Sequence, residues 1–140
     1  MYLVDTDVIS ELRKKGKADR RGVAFFKEVS ARDAPLYLSA VTVGELRRGV
    51  ELIRHRGDLR QANMLDRWLD GLVAQYAEHV LPFDTDVAQV WGRLRVPHPE
   101  NPLDKQIAAT ALLYDLILVT RNTRHFASTG AKLFDPFAAN

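Results

Sequence analysis

Short apolar runs alternate with longer stretches of helical periodicity along the whole chain, and that alternation dictates the fold class. Tyr2–Val4, Leu36–Leu38, His79–Phe83 and Leu116–Val119 are too short and too continuously apolar to be amphipathic helices, so they read as strands, with Lys132–Phe134 a weaker fifth. Between them, Asp7–Lys15, Asp19–Ala31, Val43–His55, Leu59–Ala77, Asp86–Leu94 and Leu103–Tyr114 carry apolar residues three and four apart and read as helices. Strands separated by helices are joined by crossovers rather than hairpins, which predicts a mostly parallel sheet with helices packed on its faces. Gly16, Asp33-Ala34-Pro35, Arg56-Gly57-Asp58 and Pro97–Pro102 punctuate these elements, and none is long enough to be a domain linker. A chain of 140 residues is then a single α/β domain, residues 1–140.

Two absences narrow the function classes. The chain has no cysteine, which excludes disulfide frameworks, thiolate zinc sites, iron–sulfur clusters and cysteine nucleophiles. The first apolar run ends at Asp5 and no stretch approaches the roughly 18–20 apolar residues of a membrane span, so the expectation is a soluble, cytoplasmic protein with no membrane partner.

The acids matter through their positions. Asp5 follows the first strand, Glu45 opens the helix after Leu36–Leu38, Asp104 lies in the first turn of the helix opened by Pro102, and Asn122 follows the fourth strand. In an open parallel sheet the strand carboxyl ends and the helix starts that follow them share one edge, so these side chains can converge there. Each also has a purely structural role open to it: Thr42–Glu45 has capping-box spacing, Asn101–Asp104 matches an N-cap with proline at the first helical position, and Asp7 can cap its own helix. The match of Val4-Asp5-Thr6-Asp7-Val8 with Phe83-Asp84-Thr85-Asp86-Val87 is explained by shared capping chemistry rather than by a duplication.

Magnitudes separate the two roles. Three carboxylates meeting at about 5 Å would repel by roughly 3 kcal/mol per pair at an effective dielectric near 20, whereas a cap contributes about 1 kcal/mol. A convergent cluster therefore needs a cation. With no cysteine and with histidines scattered at positions 55, 79, 98 and 125, an all-oxygen site favours Mg²⁺ or Mn²⁺ over zinc. Such an ion suits phosphodiester or phosphate-ester hydrolysis, because it lowers the pKa of bound water and neutralises charge growing on phosphoryl oxygens.

The net charge of +2 hides a basic first half. From Met1 to Arg67 there are fourteen Lys and Arg against ten Asp and Glu, and Glu11–Arg32 alone holds eight basic residues against three acidic ones. That segment is either a solvated helix face or a dock for a polyanion, with Arg13, Lys14 and Lys15 as candidate phosphate contacts. Arg121 and Arg124 are two more.

Four motifs in order resemble those of PIN-domain ribonucleases, and within them the VapC toxin group with its FitB-like members: Leu3–Leu12, Leu38–Gly49, Pro102–Ala111 and Leu118–Phe126. The resemblance covers essentially the whole chain. It implies a three-layer α/β/α sandwich and a Mg²⁺-dependent endoribonuclease, Mn²⁺ being a substitute, that serves as the toxin of a type II toxin–antitoxin system and cuts tRNA or rRNA. It further implies a cognate VapB- or FitA-like antitoxin that plugs the site and supplies the contact with operator DNA, and a homodimer or toxin–antitoxin hetero-oligomer. Carried over by position, Asp5 and Asp104 are principal metal ligands, Glu45 is a third acid on the metal or its water, and Thr6 and Thr120 are supporting polar groups. The fourth motif departs from the pattern. Asn122 and His125 stand where family members often have an acid, so Asn122 offers only a carbonyl oxygen and one well-occupied metal position is expected.

Two other readings stay open. Asp5-Thr6-Asp7, Lys105 and Thr120 resemble parts of haloacid-dehalogenase-type phosphatases, although the tail after Thr120 lacks the paired acids that family needs. A catalytically weakened PIN-fold module that only binds RNA is the nonenzymatic alternative. The Met64–Tyr76 stripe reads as core on its inner positions, with its outer positions available to a partner.

Overall fold

A computed structural model describes residues 1–14 and 20–138. Lys15 and the boundaries expected at Lys15 and Asp19 lie outside the described residues. The first strand, β1 (Tyr2–Val4), is the middle of a five-stranded sheet ordered β3-β2-β1-β4-β5, with β2 at Leu36–Ser39, β3 at Val80–Leu81, β4 at Ile117–Val119 and β5 at Leu133–Phe134. All four pairings are parallel, so the sheet goes beyond the mostly parallel expectation. Of the expected strand His79–Phe83 only Val80 and Leu81 pair; Phe83 instead sets its ring edge-on against Trp91 at 5.7 Å.

Alternation along the strands divides the core between two faces. Val4, Leu38 and Val119 face one layer, built by α1 (Thr6–Leu12), α2 (Arg20–Ala31), α3 (Ala40–His55) and α4 (Leu59–Gln75) through Val8, Phe25, Val29, Leu46 and Leu69. Leu3 and Leu118 face the other, built by α6 (Pro102–Leu113) and α7 (Thr123–Phe126) through Ile107, Ala108, Ala111 and Phe126, with α5 (Thr85–Leu94) packed beside α6. The result is a three-layer α/β/α sandwich. Fully burying each of these large side chains contributes roughly 1.5–3 kcal/mol. The α4 stripe divides likewise: Leu65, Trp68, Leu69, Leu72 and Tyr76 join the core, while Met64 and Val73 are exposed. No helix among the described residues is long and apolar enough to cross a membrane.

Helix starts place the site. Asp5 caps α1, its Oδ1 accepting the Thr6 N–H at 2.8 Å, and Asp84 caps α5 through the Val87 N–H at 3.1 Å, so the repeated Asp-Thr-Asp is capping chemistry at both positions. Asp7 is not a cap. Helix α3 starts at Ala40, three residues before the expected Val43, because Ser39 ends β2 and caps the helix directly, accepting the Val41 N–H at 3.1 Å. Thr42 is therefore a fully buried residue inside the helix rather than the head of a capping box.

The strand order positions the carboxyl ends. From β1 the chain moves outward through β2 to β3, then crosses back to place β4 on the other side of β1. The ends of β1 and β4 thus flank the point where the direction of winding reverses, where open α/β sheets hold their ligands.

Candidate functional site

Asp5 sits at that reversal point, 4% exposed. Its backbone N–H donates to Val119 O at 2.9 Å, and Thr120 Oγ1, at the end of β4, donates to its Oδ2 at 2.8 Å. Both carboxylate oxygens thus hold a donor, yet burial, reinforced by the charge of Asp7, pushes the Asp5 carboxyl up to about 7. Asp7, one helical step away, is also raised by burial; the carboxyl of Asp5 and the charge of Arg121 oppose the rise, and the charge of Asp104 adds to it. Asp7 Oδ1 is buried with no amide or hydroxyl donor on it, and the Asp5 and Asp7 carboxyls hydrogen-bond each other.

Glu45 reaches the same place from α3. Thr6 Oγ1 donates to Glu45 Oε1 at 3.1 Å and lies 3.3 Å from Thr42 Oγ1, which ties the start of α1 to the start of α3. Burial raises the Glu45 carboxyl, the bond from Thr6 and the charge of Arg48 lower it, and the charges of Asp104 and Asp7 raise it further. Asp104 comes from the first turn of α6, whose start is set by Pro102 after Asn101 in a left-handed conformation (φ 54°). Its Oδ2 lies 3.0 Å from His125 Nδ1.

The charge of Asp104 acts on Asp7 and on Glu45, and Asp5 is paired with Asp7; Thr120 and Thr6 hydrogen-bond Asp5 and Glu45 respectively. Asn122 behaves differently. It is exposed at the start of α7, its side chain makes no cap bond, and its backbone N–H donates to Thr120 Oγ1 at 3.0 Å. Three residues are not among the site residues expected for a nuclease. Asp7 reads as a cap or as part of a phosphatase-like motif; His125 lies against Asp104; and Lys105, the sequence neighbour of Asp104, is buried at 3% exposure with its ammonium donating to the His98 carbonyl.

The candidate phosphate contacts divide as well. Lys14 Nζ lies 2.9 Å and Arg121 Nη1 3.9 Å from Glu11, and the Arg121 guanidinium also lies 4.0 Å over the Phe137 ring. Arg124 is exposed on α7. Arg13 lines a cavity of about 130 Å³ that also touches Thr6, Glu45 and the apolar side of α3 and α4 at Leu46 and Trp68. The cations that act on the acids are Arg48 and Arg121, and Arg48 is a contact that the sequence did not single out.

Asp5 and Asp7 stand at the start of α1 and Asp104 in the first turn of α6, whereas Glu45, expected to open α3, lies in its second turn because that helix starts at Ala40; the crowding of Asp7 with Asp5 and Asp104 is relieved either by protons or by a cation. Among the described residues no three His, Asp or Glu side chains are already drawn together as a metal-holding group. The donor set nevertheless fits a hard divalent ion: it is all carboxylate oxygen, and one buried oxygen receives no amide or hydroxyl donor.

Comparison with known proteins agrees with the architecture. The PIN domain family matches residues 2–132. Toxin FitB of Neisseria gonorrhoeae is 34% identical over 98% of this chain and 99% of its own length. VapC ribonuclease Y4jK of Sinorhizobium fredii is 32% identical over 98% of both chains. The solved structure of FitAB bound to an IR36 DNA fragment superimposes with a TM-score of 0.84 at 31% identity, covering 100% of this chain and 98% of that one. With the family matching nearly its full length, this chain belongs to the PIN domain family.

Proposed function

We propose that this chain is the toxin of a type II toxin–antitoxin pair, a metal-dependent endoribonuclease whose site is the carboxylate cluster at the ends of β1 and β4. The observation that carries the chemistry is the burial of Asp5 and Asp7 together, with the charge of Asp104 acting on Asp7 and on Glu45. The names of the relatives, a toxin and a ribonuclease, support the biological role.

Asp5, Asp104 and Glu45 would hold Mg²⁺ or Mn²⁺, with Asn122 able to add a carbonyl oxygen. When bound, the ion supplies an activated water and charge neutralisation at the phosphoryl oxygens. The rest is the work of this chain's side chains. Thr120 and the Thr6 N–H fix both oxygens of Asp5, so its orientation is set before substrate arrives. Thr6 holds Glu45 in the same way, leaving Glu45 on the rim of the cavity, where it can accept a proton from water. Arg48 and Arg121 supply positive charge next to the acids, where an RNA phosphate would otherwise be repelled. The solved relative bound to DNA is a two-component assembly, which supports a cognate VapB- or FitA-like antitoxin as partner, with operator DNA reached through that antitoxin.

The test is cleavage of labelled total tRNA and rRNA in Mg²⁺ or Mn²⁺, against EDTA and against Asp5→Asn. Metal-dependent cutting lost in the variant supports the nuclease. Intact RNA with retained binding selects the noncatalytic module instead.

A further inference from the structure

Each acid proposed above to hold the ion is fixed by a neighbouring group. The Thr6 N–H and Thr120 Oγ1 fix the two oxygens of Asp5, and Thr6 Oγ1 fixes Glu45. For Asp104 that group is His125, whose Nδ1 lies 3.0 Å from Asp104 Oδ2. We propose that His125 is a positioning residue whose Nδ1–H holds Asp104 Oδ2 and so reserves the other carboxylate oxygen for the divalent cation, a role that rests on the metal-dependent function above.

The chemistry of the pair decides where the proton sits. An ionised carboxylate can only accept, so an Nδ1 at hydrogen-bond distance from it must be the nitrogen that carries hydrogen. A ring nitrogen carrying hydrogen has no lone pair for a metal, so Nδ1 is not itself a ligand. His125 acts on the site through Asp104.

The backbone beneath Asp104 is held by other contacts. Trp91 Nε1 donates to the Pro102 carbonyl at 3.1 Å, joining α5 to the first residue of α6, and the buried Lys105 ammonium donates to the His98 carbonyl in the loop before α6. These bonds fix where α6 begins but not how the Asp104 side chain is turned. His125 supplies that constraint from another helix, 21 positions away, and its neighbour Phe126 is fully buried and anchors α7 in the core. The pair itself is open to water, with side-chain exposures of 27% for Asp104 and 51% for His125. Ion pairs this exposed contribute little to folding, so orientation is what the contact supplies.

The test separates positioning from stability. Full-length wild type, His125→Ala, His125→Asn and His125→Gln are melted in EDTA and titrated with Mn²⁺ by calorimetry. Melting in EDTA is expected to be unchanged, while Mn²⁺ affinity falls roughly 10–100-fold in His125→Ala, the loss typical when an outer partner of a metal ligand is removed. His125→Asn places an amide nitrogen where Nδ1 stands and should recover most of the affinity; His125→Gln places its amide nitrogen at the Nε2 position and should not. In metal-free wild type with a neutral imidazole, a proton–nitrogen NMR correlation should find the His125 hydrogen on Nδ1, and Asp104→Ala should move it to Nε2. Unchanged Mn²⁺ affinity in His125→Ala, recovery by glutamine but not by asparagine, or a wild-type hydrogen on Nε2 overturns the assignment while leaving the metal-dependent function standing. A wild type that takes up no Mn²⁺ overturns both.

Discussion

Thr120 Oγ1 donates to Asp5 Oδ2 at 2.8 Å, joining residues 115 positions apart across the two central strands. The bond is buried, and the same hydroxyl accepts the Asn122 N–H at 3.0 Å. One small side chain therefore orients the most buried acid of the site and also shapes the turn that leads into α7. The β1–β4 pairing brings these two positions together, and the reversal of winding at that pairing leaves them facing the ligand edge.

Thr120→Val keeps the shape of the side chain and removes its hydroxyl. It leaves Asp5 Oδ2 and the Asn122 N–H without their partner, and a net loss of about 1–3 kcal/mol in folding stability is expected on urea denaturation. Because that hydrogen bond lowers the Asp5 pKa, the Asp5 carboxyl should titrate higher in the variant when followed by NMR. Thr120→Ser should restore most of both. An unchanged titration would show that the hydroxyl does not hold Asp5.

The acids also set a pH dependence. Asp5 is raised from 3.8 to about 7 in the folded chain, so between those values the folded state binds more protons than the unfolded state. Stability in EDTA is therefore expected to fall as pH rises from about 4 to about 7 and then level off, by on the order of a few kcal/mol at about 1.4 kcal/mol per unit. Asp7 and Glu45, raised by burial, contribute with the same sign. Mg²⁺ should restore the melting temperature more at about pH 8 than at about pH 5.5, since at the lower pH it must displace protons. A melting temperature in EDTA that climbs steadily from pH 5 to pH 8 would contradict this.

Much of this was legible in the sequence, for a physical reason. Strand β1 is buried on both faces and reads as an unbroken apolar run ending at Asp5, so one short segment announces both a central strand and an acid at its carboxyl end. Asp104 was legible because a helix start leaves an acidic side chain near a strand end whatever the packing, while Glu45 proves to lie in the second turn of α3, which starts three residues earlier than its pattern suggests. The pairing of Asp7 with Asp5 was not legible, since the position suits a cap or a phosphatase-like motif equally; only the geometry of Asp5 shows that the cap is already provided. The partners of His125 and Lys105, Asp104 and the His98 carbonyl, were not legible, because they are chosen by how α7 and the loop before α6 pack, which no local pattern encodes.

Asn122 offers a gain-of-function test. It is the N-cap of α7 with no side-chain cap bond to lose, and an aspartate is equally suited to that position. Asn122→Asp should tighten Mn²⁺ binding in titration calorimetry by adding a charge to the site. Unchanged or weaker Mn²⁺ affinity would remove Asn122 from the metal site.

The last prediction concerns the support of Arg121. A Cβ placed on Gly22 in α2 would lie 2.5 Å from Phe137 Cε1, well inside contact distance, and the Phe137 ring is 5% exposed beneath the Arg121 guanidinium. Gly22→Ala gains about 1 kcal/mol of helix propensity and costs about 1–3 kcal/mol of overpacking, so the net expectation is a modest loss of stability with displacement of the ring. If the ring moves, the platform for Arg121 moves with it. RNA affinity measured for Gly22→Ala in EDTA, where no cutting occurs, should then fall in parallel with Arg121→Ala. Replacing Phe137 with the smaller leucine in the Gly22→Ala background should recover stability but not RNA affinity, because the clash is removed while the aromatic face beneath Arg121 is lost. A Gly22→Ala protein that melts higher than wild type and binds RNA equally well would show that the ring has room to move and that Arg121 does not depend on it.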